Sequence, residues 1–230
     1  MKRTLSQDDP RWANQVMWEK VTIENEGCLL TSLSMILALL DKKNTKLSRP
    51  DMLNDYAQKT EYYSEAQLYA DICLDASNGR VQLLAKEEYL ASEEGWIPHF
   101  ASDSYLLKLY RVLPPELREN YAVMVKIGVH DDTFASHYLL VHPDEPGDSD
   151  DNDFMVLDPA QPHGCKVTNW MLSNSYKQIS KDLKIKDELN MCNIHVLQIS
   201  GVWLFGGRNH KKDGNKNSML ECFLKASQGI

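Results

Sequence analysis

Residues 28–40, CLLTSLSMILALL, carry apolar side chains on nearly every face of the helix they would form. Such a helix has no face to give to water, so it must be sunk in a core. Its longest apolar run, Met35 to Leu40, is far short of the roughly 20 residues that cross a bilayer. The full length of 230 residues suits one domain over 1–230, with a core that closes without disulfides. A hydrophobic share of 43% rules out global disorder. The net charge of −8 argues against a nucleic-acid partner, which needs a basic surface. Most of that charge is local: Asp144, Glu145, Asp148, Asp150, Asp151 and Asp153 form one acidic loop. The opening, MKRTLSQDDPRW, shows no secretory signal, and the five cysteines form no disulfide framework. The expected location is the cytoplasm, or export by a route without a cleavable signal, and no membrane contact is expected.

The fold class read from the pattern is α+β, a helical N-terminal half packed on an antiparallel sheet. Surface helices are expected over 50–60, with Ser48 as cap and Pro50 in the first turn, and over 64–75. Further helical pieces are expected near 85–93 and 103–111, ending at Pro114-Pro115. After Tyr121, YAVMVKIGV and SHYLLVH read as a hairpin, FMVLD (154–158) as a third strand, and HVLQISGVWLF (195–205) as one or two more. RNHKKDGNKN (208–217) reads as a polar loop, within a tail drawn at 206–230.

Three features carry chemistry. Gly27-Cys28 opens the buried helix, where the macrodipole and unpaired backbone N–H groups favour a thiolate. Gly27, lacking a side chain, would let a substrate carbonyl approach the sulfur. His137 lies on a predicted strand and Asp158 closes the next one. Neighbouring strands lie about 4.8 Å apart, so Asp158 could hold one imidazole nitrogen while the other faces the thiol. That is the arrangement of nucleophile, base and orienting acid that activates Ser and Cys enzymes. Taken singly, each residue also has a plain structural use: a packed thiol, a satisfied histidine, a turn aspartate.

Gln7-Asp8-Asp9-Pro10-Arg11-Trp12-Ala13 followed by Gly27-Cys28-Leu29-Leu30-Thr31-Ser32-Leu33 resembles the opening of papain-like cysteine peptidases. The resemblance is nearest to the branch that includes the bacteriocin-leader-processing peptidases. In that branch a Gln precedes the Cys-bearing helix, and His-Tyr then Asp-Pro follow on adjacent strands; here Gln7, Cys28, His137 and Asp158 keep that order. The resemblance covers 7–54 and, more loosely, 121–160, whereas 60–120 reads as an unmatched helical insert. It implies a papain-like fold and a hydrolase for peptide or isopeptide bonds, with Cys28 as nucleophile, His137 as base and Asp158 as orienting acid. It also implies that the Gln7 side chain and the Cys28 backbone N–H stabilise the oxyanion. Gln15 competes for the glutamine role; Gln7 is preferred because it adjoins Asp-Pro-Arg-Trp.

The same site could perform deamidation or acyl transfer, since a thioester meets different acceptors. A non-catalytic binding module on the same fold is the alternative of another class, with 60–120 as its partner surface. The expected partner is a protein or peptide substrate. No cofactor or metal is required: Asp148, Asp150 and Asn152 lack the rest of a calcium loop, and His163, Cys165, Cys192 and His195 lack a usual zinc spacing. His130 and His142 read as surface residues, Cys73 and Cys222 as packing residues.

Overall fold

The computed structural model describes residues 5–43, 46–64, 67–88, 104–129, 136–144, 146, 153–160, 169–172 and 197–207. Near the start, β1 (Val16–Trp18) and β2 (Val21–Thr22) pair in a short hairpin that reverses through Glu19, at a φ of 47°. Helix α1 (Ile23–Glu26) follows, and Gly27 separates it from α2 (Cys28–Leu40). Then come α3 (Pro50–Lys59), the hairpin β3 (Tyr63–Ser64) and β4 (Gln67–Leu68), α4 (Ile72–Ala76) and β5 (Val81–Glu88). The second half holds α5 (Tyr105–Val112), α6 (Pro115–Arg118), β6 (Tyr121–Val129), β7 (Ser136–Val141), β8 (Asp153–Leu157), β9 (Asn169–Leu172) and β10 (Leu197–Gly207).

Six strands make one antiparallel sheet in the order β5-β10-β6-β7-β8-β9. Side chains alternate across it, as the period of a strand requires. Ala122, Met124, Leu140, Leu157 and Phe205 join one core with Leu30, Leu33, Met35, Ile36 and Leu37 of α2. Val123, Val125, Leu139, Val141, Val156, Val202 and Leu204 join a second core with Leu106, Leu107 and Tyr110 of α5. The sheet is thus covered on both faces. Enclosure of α2 between the sheet and α3–α4 is what its all-apolar sequence demanded: Leu30, Leu33, Met35, Ile36 and Leu37 are fully buried. Cutting one such leucine to alanine costs about 2–5 kcal/mol. The far end of α2 is tied down by Asp41, which receives both Nε and Nη2 of Arg80 at 2.9 Å.

The α+β class and the strands expected after Tyr121 are present, with 197–207 forming one long strand rather than two. The reading of 60–120 as helical needs correction. Tyr63–Ser64 pairs with Gln67–Leu68 as strands, and among the described residues of the stretch expected as a helix over 64–75, helix begins only at Ile72. Residues 85–88 belong to β5, an outer strand held by pairing with β10, so the segment contributes to the main sheet. The turn into β5 is Asn78-Gly79, both with positive φ (52° and 75°), and this left-handed conformation suits glycine. The first position of α3 is Pro50 as expected, but the cap position falls on Arg49, whose side chain binds Asp51 instead. The boundary of the tail at 206 also moves, since Gly206 and Gly207 end β10; 208–230 lie outside the described residues. Among the described residues, no helix is long and apolar enough to cross a membrane.

Candidate active site

Cys28 is the first residue of α2, half-buried, with a free thiol. A residue at the first helical position keeps a backbone N–H that the helix itself cannot pair. Gly27 occupies the cap position without a side-chain cap bond. Its bareness has a packing cause: a Cβ there would stand 2.3 Å from the Ile23 carbonyl oxygen and 2.6 Å from Ile23 Cγ2. The close turn from α1 to α2 therefore requires glycine at 27, whatever a substrate asks of it.

His137 lies on β7, opposite Ile127 of β6, and is 7% exposed. Asp158 directly follows β8 and is 1% exposed. The ladder between β7 and β8 registers Leu140 with Leu157 and Val141 with Val156. His137 and Asp158 meet just past its Leu140–Leu157 end, where His137 Nε2 stands 2.7 Å from Asp158 Oδ1. The same Oδ1 accepts the backbone N–H of Ala160 at 2.8 Å, an aspartate turn that fixes the carboxylate. Oδ2 of Asp158 is buried and, among the described residues, has no hydrogen-bond partner.

Cys28 is the other group that acts on the His137 ring. With Nε2 given to Asp158, Nδ1 is the nitrogen left for the sulfur. Burial alone would push the imidazole down; the charge of Asp158, its hydrogen bond, and the bond and charge of Cys28 outweigh it and raise the ring to about 10. The Asp158 carboxylate, 2.7 Å away, thus favours the charged form of the ring.

Gln7 is brought to the same place by its neighbours. The Asp9 backbone oxygen accepts from Trp12 N and Ala13 N, and the Asp9 carboxylate binds the Arg11 side chain and backbone N–H. Trp12 Nε1 donates to the Ser6 carbonyl at 2.8 Å. These bonds fold Asp-Pro-Arg-Trp into a compact brace that presents Gln7. Its backbone N–H then donates to the Pro159 carbonyl at 2.8 Å, next to Asp158, and its side-chain Nε2 donates to the Glu24 carbonyl at 2.6 Å, in α1. Gln7 thus bridges the chain after β8 and the turn before Cys28. The bond to the Glu24 carbonyl fixes the amide's orientation, because a flip would set oxygen against oxygen; among the described residues the buried Oε1 has no hydrogen-bond partner. Gln15 is committed elsewhere, donating to Asp55 Oδ1 at 2.8 Å.

Two residues at the site were not singled out in the sequence. Ser32 Oγ donates to the Tyr138 carbonyl at 3.0 Å, locking α2 to β7 beside His137. Its signal was a hydroxyl four residues after Cys28 and so on the same helix face. Asp8 is half-buried; burial, then the charges of Glu24 and Asp158, hold its carboxyl above the ordinary range. Of the other histidines and cysteines, His142 follows β7 and accepts the Asp144 N–H at 3.2 Å. Cys73 is fully buried against the Leu33 carbonyl, and burial pushes its thiol up. His130, His163, Cys165, Cys192, His195, Cys222 and the acidic positions 148–152 lie outside the described residues. Among the described residues, no cluster of three or more His, Cys, Asp or Glu side chains could hold a metal ion.

No family model, curated protein or solved structure matches the chain. The site's chemistry therefore stands on its own geometry. A half-buried sulfur, a charged imidazole and a buried carboxylate in series can form a covalent thioester and pass a proton to a leaving group.

Proposed function

We propose that the chain is a cysteine hydrolase with a papain-like fold, cleaving a peptide or isopeptide bond in a protein or peptide substrate. The observation that carries this reading is the His137 imidazole held by Asp158 at 2.7 Å, with Cys28, at the start of α2, among the groups that act on the same ring. His137, as base, takes the proton of the Cys28 thiol. The Cys28 sulfur attacks the substrate carbonyl carbon, forming a C–S bond and pushing an electron pair onto the carbonyl oxygen. That oxyanion is met by the Cys28 backbone N–H and by the Gln7 amide, whose second N–H remains after Glu24 has taken the first. One such donor is worth roughly 3–4 kcal/mol of barrier.

As the tetrahedral carbon collapses, the C–N bond breaks and His137 gives its proton to the departing amine. Water then enters, His137 takes one of its protons, and the thioester opens to a carboxylic acid and the restored thiol. Asp158 stays ionised throughout and holds the ring in the productive orientation. The order of Gln7, Cys28, His137 and Asp158 along the chain, together with a nucleophile at the start of a buried helix resting on an antiparallel sheet, supports the papain-like fold.

Incubation with a proteome-derived peptide mixture, followed by mass spectrometry of new termini, tests the reading. Cleavage products with wild type that are missing with Cys28→Ala are expected. Identical product lists from the two proteins would overturn it.

A further inference from the structure

The hydrolase reading uses residues at one end of the β7–β8 ladder, yet the most costly side chains to bury lie at the other end. Arg111 and Arg118, 6% and 9% exposed, sit on α5 and α6. Arg118 Nη1 donates to the Pro143 carbonyl at 3.2 Å, and Nη2 donates to the Leu113 and Arg111 carbonyls at 2.8 and 3.3 Å. Arg111 Nε donates to the Pro146 carbonyl at 2.9 Å. The Arg118 guanidinium also stands over the Tyr110 ring, 5.9 Å from its centre. Two buried cations therefore grip the chain just after it leaves β7. Desolvating a guanidinium is expensive, and apolar packing would anchor an ordinary loop at lower cost.

The sequence explains why cations are used. The connection from β7 to β8 carries Asp144, Glu145, Asp148, Asp150 and Asp151 and enters β8 at Asp153. Like charges so close in sequence repel and tend to pull a connection open. The charges of Asp144 and Arg118 both reach Tyr110, so at least one acid stands near the clamp. The ladder that this connection could disturb is short, with two registered pairs among the described residues. Since strand side chains alternate in direction, even a small slip there would turn His137 or Asp158 away from its partner. Tyr110 packs in the same core as Leu139, Val141 and Val156, so the clamp is rooted in the layer that covers both strands.

We propose that Arg118, assisted by Arg111, is a positioning residue that pins the exit of β7 and thereby holds His137 in register with Asp158. The catalytic meaning of that register rests on the hydrolase reading; the register itself does not. Among the described residues, Asp158 and Cys28 are the groups that act on the His137 ring, while Arg118 and Arg111 donate to the Pro143 and Pro146 carbonyls.

The test is the imidazole titration of His137, followed by NMR with histidine-specific ¹⁵N labelling and assigned with His137→Gln. Wild type is compared with Arg118→Gln, alongside alkylation of Cys28 by iodoacetamide. A brace with no bearing on the site would lower the melting temperature and leave the titration of the folded protein where it was. The expected result is a fall in the His137 midpoint by about one pH unit or more, with Cys28 alkylation changed about tenfold, since one unit is a factor of ten. Should Arg118→Gln not fold, Arg111→Lys, which keeps the charge but gives up the Nε bond to Pro146, is read in the same way. A folded variant whose midpoint stays within about 0.3 unit of wild type overturns the proposal. Wild-type protein that cleaves nothing, yet shows the shift between variants, would remove the hydrolase reading and leave the positioning role standing.

Discussion

Replacing Asp158 by asparagine removes the charge that faces His137 while keeping the side chain's shape. In the folded protein the imidazole is raised from an ordinary 6.5 to about 10. A rise of that size corresponds to about 5 kcal/mol of net preference for the charged ring, left after burial has opposed it and with Asp158 the leading favourable cause. Because the folded state holds this proton more tightly than the unfolded chain, the contribution is fully present below about pH 6.5. It declines as pH rises and is gone above about pH 10. Asp158→Asn should therefore cost most at pH 6, about 3–5 kcal/mol, as expected when one partner of a buried pair is removed. The cost should shrink toward pH 10.5, where the wild-type ring is itself neutral. Urea unfolding of both proteins at pH 6, 8 and 10.5 measures this, and the difference between them cancels the titration of lysines and tyrosines. A difference that stays constant from pH 6 to 10.5 would refute the claim that a charged imidazole is paired with this carboxylate.

Gly27→Ala should destabilise the protein by about 1–3 kcal/mol, because the new methyl meets the Ile23 carbonyl at 2.3 Å; an unchanged melting temperature would show that α1 can move aside without cost. Gln7→Ala should lower kcat by about a hundredfold or more on a cleaved peptide with KM little changed, as loss of an oxyanion donor does. A loss confined to KM would place Gln7 in substrate binding instead. Ser104 caps α5 by accepting the Leu107 N–H at 3.0 Å while donating to Glu87 Oε2 at 2.6 Å. Ser104→Ala should cost about 0.5–2 kcal/mol in a thermal melt, and a neutral result would mean Glu87 alone can cap the helix through its bond to Leu106 N.

Some of this architecture was readable from residues alone because one physical demand left one solution. Thirteen residues with apolar side chains on every face can only be a buried helix, and α2 is one. The alternation in YAVMVKIGV and SHYLLV gives a half-and-half sheet: Ala122, Met124 and Leu140 go to one core, and Val123, Val125, Leu139 and Val141 to the other. The candidate triad was readable because its residues mark strand and helix ends. Other parts depended on partners distant in sequence. Residues 81–88, with Leu, Ala, Lys and Glu, have a helical composition, and only pairing with β10 makes them a strand. The Asn78-Gly79 turn that starts β5 was the local clue, outweighed by that composition. The bond from Gln7 to a backbone carbonyl at Glu24 has no sequence signature. Nor do Arg111 and Arg118, which look like surface cations until α5 and α6 fold them over the exit of β7.

Whether Cys28 is a nucleophile activated by His137 is decided by covalent trapping. A peptide-based electrophile specific for activated thiols is added in turn to wild type, Cys28→Ala and His137→Ala, and the adducts are mapped by mass spectrometry. The account predicts one adduct on Cys28 of wild type, none on that site in Cys28→Ala, and far slower modification of Cys28 in His137→Ala. Equal modification of Cys28 with and without His137 would contradict it.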